Sequence, residues 1–235
     1  MFKAVLFDLD GTLLNIDMDV FLQHYFKKMA LLAPDYGLKD SQRLIAQVWK
    51  STDVMIANRD PALSNEDAFM SDFFAAGDFP EKNTREFFDD YYDRAFPLLH
   101  NLCQGHALVP GMIESLLAGS KKVIIATNPV FPIKAIQHRL DWAGIGHFPY
   151  ELITSYEVMH FCKPHPEYYR EISDMIGVPP EQCLMVGNDR EEDLTAASIG
   201  MKTYLVEDGL IDRGSNLRPD WQGTLSQLAA FLEKL

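Results

Sequence analysis

The sequence predicts a doubly wound α/β fold: a parallel sheet with helices on both faces, interrupted after its first strand by an all-helical insertion. Three observations predict it. Short apolar runs recur along the chain, helix-length segments separate most of them, and residues 15–101 lack such runs altogether. At 235 residues and 47% apolar content, the chain suits one large domain or a core with a smaller insert.

The first run is KAVLFD, residues 3–8. Like the four that follow later, it is almost continuously apolar, which is how a strand buried on both faces of a parallel sheet reads. The block at 15–101 instead shows helical spacing in DVFLQHYFKKMALLA, SQRLIAQVWKSTDVMIA, EDAFMSDFFAA and TREFFDDYYDRAF, with breaks at 34–37, 58–61 and 77–80. Its aromatics (Phe73, Phe74, Phe79, Phe87, Phe88, Tyr91 and Tyr92) read as packing between helices, with a pocket lining as the alternative. Asn58, Arg59 and Arg85 are either selectivity groups or ordinary surface polarity.

Past residue 101 the alternation sets in. KVIIATN (122–128), YELITS (150–155), QCLMVGN (182–188) and KTYLVE (202–207) read as strands, and helices fit over 131–143, 166–176 and 190–199. The division is therefore a core of residues 1–14 and 102–235, with a helical domain of 15–101 inserted.

Charge excludes whole classes of partner. With 21 Lys and Arg against 34 Asp and Glu, the net charge is -13, which repels nucleic acid and anionic membrane surfaces. A small anionic ligand remains open, because local positive charge outweighs a global field. Three cysteines, Cys103, Cys162 and Cys183, are an odd number without a CxxC pair, so reduced and mostly buried thiols are expected. No apolar stretch approaches a membrane span, and the N-terminal run breaks at Asp8, too early for a signal peptide. A soluble, cytoplasmic protein is expected.

Ligands of open α/β sheets gather beyond the C-terminal strand ends. Those ends hold Asp8, Asp10 and Thr12, then Thr127 and Asn128, then Lys163, then Asn188, Asp189 and Asp193. Acids, hydroxyls, amides and one lysine on a single edge suit a divalent cation with a phosphate. Asp8 and Asp10, two apart on an extended chain, point to the same side, and such crowding of like charge needs positive charge nearby.

Each motif has a plain structural alternative when read alone. DG is a common turn, TN a turn or cap, KP a surface loop, Pro166 a helix start, and 189–193 the acidic first turn of a helix. Their joint occurrence, in order and at strand ends, is what carries weight. His165 reads as a cap or loop residue, and none of the seven histidines shows ligand spacing.

With DLDGT at 8–12, TN at 127–128, KPHPEYY at 163–169 and GNDREED at 187–193, the chain resembles the haloacid dehalogenase superfamily of aspartate-dependent phosphohydrolases. The resemblance implies a Rossmann-like core, an α-helical cap between the first two motifs, and Mg2+ as cofactor. It implies Asp8 as nucleophile, forming an aspartyl-phosphate, and Asp10 as the acid and base that protonates the leaving oxygen and then activates water. Thr12, Thr127, Asn128 and Lys163 are expected to bind the phosphoryl group. Asp8, the Asp10 carbonyl, Asn188 and Asp193 are the expected metal set, with Asp189 as an alternative. The resemblance implies that most relatives carry aspartate where this chain has Asn188, so weaker metal binding is expected.

The resemblance also implies that dehalogenases of the superfamily lack the second acid of DxD, so Asp10 favours phosphoryl transfer over C–Cl cleavage. The leading expectation is a Mg2+-dependent phosphatase of a small phosphorylated metabolite. A phosphomutase on the same scaffold and a catalytically silent binding protein are the alternatives.

Overall fold

A computed structural model describes residues 2–235. In chain order the elements are β1 (Ala4–Phe7), β2 (Leu14–Ile16), α1 (Met18–Leu32), α2 (Ser41–Ala57), α3 (Asn65–Ala75), α4 (Glu81–Asp90), β3 (Cys103–Gly105), α5 (Val109–Ala118), β4 (Lys122–Ile125), α6 (Ile133–Trp142), β5 (Leu152–Ile153), α7 (Pro166–Ile176), β6 (Cys183–Gly187), β7 (Lys202–Val206), β8 (Trp221–Gly223) and α8 (Leu225–Leu232). Six strands form one parallel sheet in the order β5-β4-β1-β6-β7-β8. The predicted fold class is thus borne out.

Alternation along each strand divides the core into two layers. Val5 and Phe7, Val123 and Ile125, and Leu184 and Val186 face one side, where α5, α6 and α8 cover them. Ala4 and Leu6, Ile124, Cys183 and Met185 face the other, under α7. Each fully buried Val, Leu or Phe contributes about 1.5–3 kcal/mol through removal from water. β1 lies at the centre of the sheet, so its C-terminal end delivers Asp8 to the middle of the edge where ligands gather.

The segment between β2 and β3 is helical. α1 to α4 are followed by a single π turn (Tyr91–Ala95) and a 3-10 helix (Phe96–Leu102). The breaks fall where the sequence placed them: Gly37 and Gly77 take left-handed φ values of 78° and 70°, and Asn58 closes α2 in an extended conformation. These helices share an aromatic-rich cluster around Phe21, Phe73, Phe87, Tyr91 and Phe96. β2 and β3 pair antiparallel, Leu14 opposite Gly105, so the chain leaves and re-enters the core through a two-stranded neck.

Several expectations need correction. The strand expected over 150–155 is only Leu152–Ile153. No α-helix spans 190–199; a turn over 189–192 leads into a 3-10 helix, Asp193–Ile199. Asp189 Oδ1 accepts from the backbone N–H groups of Glu191 (2.9 Å) and Glu192 (3.0 Å), as a capping aspartate does, and the chain beyond this turn winds as a 3-10 helix. β2, β3 and β8 escaped the sequence reading because three residues carry no measurable period. α5 and α8 are further helices beyond those expected from the sequence.

Candidate active site

Four chain segments converge at the C-terminal edge of the sheet. Asp8 follows β1, Thr127 and Asn128 follow β4, Asn188 follows β6, and Lys163 lies in the loop that leads into α7. The backbone N–H of Asp8 still donates to Val186 O at 2.9 Å, so the sheet ladder itself holds the acid in place.

Lys163 is the electrostatic centre of this group. Its side chain is 1% exposed, and Nζ donates to Asp8 Oδ1 at 2.8 Å and to Asp193 Oδ1 at 2.7 Å. Burial works against the ammonium, but Asp193 and Asp8 outweigh it and hold its pKa well above the ordinary value. Burial pushes the Asp193 carboxyl upward, and Lys163 opposes that rise. The second Asp193 oxygen accepts from Asp189 N–H at 2.9 Å. Both of its oxygens are therefore engaged, and a metal at this carboxylate would compete with the ammonium. Gly187 is required by the same contact, since a Cβ there would overlap the Asp193 carboxyl.

Thr12 donates toward two acceptors, Asp8 Oδ2 (3.0 Å) and Asn188 Oδ1 (2.8 Å). A hydroxyl has one proton, so one of the two oxygens is always short of a donor. Asn188 Nδ2 donates to Gly209 O at 2.6 Å, which fixes the amide with its oxygen turned toward Thr12. The intervening turn passes through Gly11 at φ 84°, a left-handed conformation that glycine adopts without strain.

Asp10 is paired with the guanidinium of Arg139, a residue absent from the sequence-derived site. The remaining carboxylate oxygen, Oδ1, is buried and has no partner among the described residues. Burial pushes the Asp10 carboxyl above its ordinary value; Arg139 opposes this and Asp8 adds to it. The two crowded acids therefore have separate cations: Asp8 has Lys163, and Asp10 has Arg139.

The other expected residues take mixed positions. Thr127 is buried, its carbonyl accepts from Thr154 Oγ1 and Tyr168 OH, and its hydroxyl enters no hydrogen bond among the described residues. Asn128 turns its amide to the scaffold, Oδ1 accepting from Lys163 N at 3.2 Å and Nδ2 donating to Glu192 Oε2 at 3.4 Å. Asp189 is bound by Arg213 at 2.6 Å as well as by its own turn. Asn58, Arg59 and Arg85 lie elsewhere, where Asn58 bonds Asp60, Arg59 pairs with Glu167 and Arg85 pairs with Glu81. His165 caps α7, with Nε2 2.8 Å from Ile56 O.

A cavity of about 720 Å³ opens over the edge and is roofed by the helical segment. Asp8, Asp10, Thr127, Asn128, Asn188 and Asp193 line its floor, and Leu22, Phe26, Trp49, Phe69, Phe88 and Tyr92 line its roof. Of the aromatics considered from sequence, Phe88 and Tyr92 reach the cavity and the other five pack between helices.

Among the described residues, no three His, Cys, Asp or Glu side chains gather into a metal cage. Magnesium does not need one, since it is commonly held by one or two carboxylates, substrate phosphate and water. The oxygens of Asp8 and Asn188 that compete for the single Thr12 proton fit such an ion, with Asp8 the one carboxylate of the pair.

Comparison with known proteins agrees with this geometry. The protein-family model of haloacid dehalogenase-like hydrolases matches residues 2–199. A Vibrio parahaemolyticus protein named phosphoglycolate phosphatase is 26% identical over 202 residues, covering 86% of this chain and 82% of its own. A pyrophosphatase of Oceanobacillus iheyensis is 24% identical over 227 residues, covering 93% and 91%. The crystal structure of a phosphatase from Thermococcus onnurineus superposes with a TM-score of 0.60 at 21% identity, covering 98% and 97%. With a family match along most of its length, and with the shared fold bringing the four motif segments to one strand edge, the chain belongs to the haloacid dehalogenase-like hydrolases.

Proposed function

We propose that the protein is a phosphatase that hydrolyses a small phosphorylated metabolite through an aspartyl-phosphate, with residues 15–101 serving as a cap over a core of 1–14 and 102–235. The observation that carries this reading is the buried Lys163 ammonium bound to Asp8, a carboxylate that lines one cavity together with Thr127 and Asp10. A lysine held within 2.8 Å of a carboxylate at a strand end places a compact positive charge where a transferring phosphoryl group would sit.

In this reading an Asp8 oxygen attacks phosphorus, and the bond from phosphorus to the ester oxygen breaks. Asp10 gives its proton to the departing alkoxide, a role favoured by the burial that raises its pKa and by its unpartnered Oδ1. Water then attacks phosphorus, Asp10 takes the proton, and inorganic phosphate leaves with Asp8 regenerated. Lys163 and the free hydroxyl of Thr127 hold the phosphoryl oxygens, and Asn128 positions the Lys163 backbone. Thr12 orients Asp8. A Mg2+ ion held by Asp8, the Asp10 carbonyl and Asn188, with Asp193 behind, would supply further positive charge to the phosphoryl group. Among the described residues no helix is long and apolar enough to cross a membrane, and the three free cysteines suit a reducing cytoplasm.

Release of inorganic phosphate from phenyl phosphate in the presence of Mg2+ tests the proposal. Hydrolysis, with no isomerised product from sugar phosphates, is the expected outcome. A purified, folded protein that releases no phosphate from any of a panel of phosphomonoesters would overturn it.

A further inference from the structure

The geometry points to a substrate class: a phosphomonoester whose leaving alcohol is uncharged and apolar, aryl or alkyl, in preference to one that carries a second anionic group. This inference rests on the phosphatase reading and narrows it.

Size and chemistry of the cavity supply the argument. About 720 Å³ is the volume of a site for a medium-sized organic ligand, so a phosphoryl group on Asp8 leaves most of it for the leaving group. The roof that this leaving group meets is built from Leu22, Phe26, Trp49, Phe69, Met70 and Phe88, with Thr52 at its margin. Apolar walls gain by excluding water from an apolar ligand and lose by stripping water from a charged one.

Charge on the lining points the same way. Seven carboxylates face the cavity, and its single guanidinium, Arg213, is already bound to Asp189 at 2.6 Å. No lysine or arginine of the helical segment lines the cavity, and four of them pair elsewhere: Arg59 with Glu167, Arg85 with Glu81, Arg43 with Asp78 and Lys50 with Asp72. Lys163 serves the phosphoryl end. A carboxylate or second phosphoryl group on the substrate would lie among apolar side chains and acids with no cation to meet it.

One polar feature of the roof suits a neutral oxygen. Tyr25 and Tyr92 share a hydrogen bond of 2.7 Å between their hydroxyls, which uses one of two protons. The other is available to an ether or hydroxyl oxygen of the leaving group.

The test is calorimetric binding to the full chain with Mg2+, using phosphonates that cannot be hydrolysed. Across n-alkylphosphonates from methyl to hexyl, affinity is expected to rise about three- to fourfold per methylene. Phosphonoacetate, which carries a second anion, is expected to bind at least tenfold more weakly than propylphosphonate. Thr52→Lys, which adds an ammonium to the roof, is expected to narrow that ratio at least fivefold. A flat alkyl series, phosphonoacetate binding as tightly as propylphosphonate, or an unchanged ratio in Thr52→Lys would overturn the inference. Phosphate release assays separate the two claims. If phosphoglycolate or pyrophosphate outranks phenyl phosphate in kcat/KM, the substrate class is wrong and the phosphatase reading stands. If the alkylphosphonate trend holds while no ester is hydrolysed, the phosphatase reading falls and the apolar cavity stands.

Discussion

Arg139 of α6 and Asp10 of the loop after β1 form an ion pair that is nearly sealed from solvent, with side-chain exposures of 1% and 14%. The guanidinium also stacks 4.6 Å from the Phe131 ring centroid, and its Nη2 has no partner among the described residues. The contact is thus made through one nitrogen, which leaves the buried Asp10 Oδ1 without a partner among the described residues.

Removing one partner of such a pair leaves the other charge buried. Arg139→Met is expected to lower the unfolding free energy by about 3 kcal/mol, at the lower end for broken buried pairs because Asp10 can take up a proton. Arg139→Lys is expected to restore only part of this, since an ammonium reproduces neither the planar fork nor the stacking on Phe131. Adding Asp10→Asn to Arg139→Met should recover at least half of the loss. Urea unfolding at pH 7 measures all three, and Arg139→Met within about 1 kcal/mol of the parent would refute the coupling.

Asp8→Asn should leave the fold intact, because Lys163 keeps its 2.7 Å contact with Asp193 and the backbone bond to Val186 is unaffected. Turnover of phenyl phosphate is expected to fall by at least about a thousandfold, the scale seen when a nucleophile is lost. Phosphate release and circular dichroism on the same preparation are the measurements. A variant with kcat near that of the parent would eliminate Asp8 as the phosphate acceptor.

Chelation should silence the enzyme and Mg2+ should restore it, and Asn188→Asp adds a readout independent of turnover. The substituted oxygen would face Gly209 O, which now accepts from Nδ2 at 2.6 Å, while the added charge approaches Asp8. The metal-free variant is therefore expected to melt several degrees below the parent, where 1 kcal/mol corresponds to about 2–4 °C in a chain of this size. Mg2+ should raise its Tm more than it raises that of the parent, by mass action on a tighter site. Equal shifts in both proteins would exclude Asn188 from the metal site.

The parts of this site that were legible in the sequence are those carried by short contiguous motifs at strand ends. Asp8, Thr127, Lys163 and Asn188 each follow or face a run whose continuous apolarity marks a buried parallel strand, so their convergence followed from topology. Arg139 was not legible in this way, because it lies 129 residues from Asp10 and carries no motif. A signal was nonetheless there: Arg139 occupies the buried stripe of α6 between Ala135, Ile136 and Leu140, where an arginine needs an acid. The 3-10 winding after Asp189 is not legible in 189–193, because an acidic α-helix start and an aspartate-capped turn have the same composition. The roof of the cavity depends on how helices pack against one another, and helical spacing alone does not separate Phe88, which lines it, from Phe87, which does not.

The cysteines give a prediction in which pH is the variable. Burial pushes the Cys103 thiol up to about 12, with Asp10 adding and Arg139 opposing; burial also raises Cys162 to about 12 and Cys183 to about 11. The thiolate is the reactive form, and an unperturbed cysteine has a pKa near ~8.5. At pH 8 the native thiols should therefore react with iodoacetamide on the order of a hundredfold more slowly than free cysteine. Because each folded pKa is raised, the rate should climb about tenfold per pH unit from 8 to 10, where free cysteine already levels off. In denaturant all three should react at the ordinary rate, since the barrier is burial and not chemistry. Mass spectrometry of alkylated peptides resolves the sites, and any native cysteine reacting at pH 8 within tenfold of the free amino acid would show that its pocket opens to solvent.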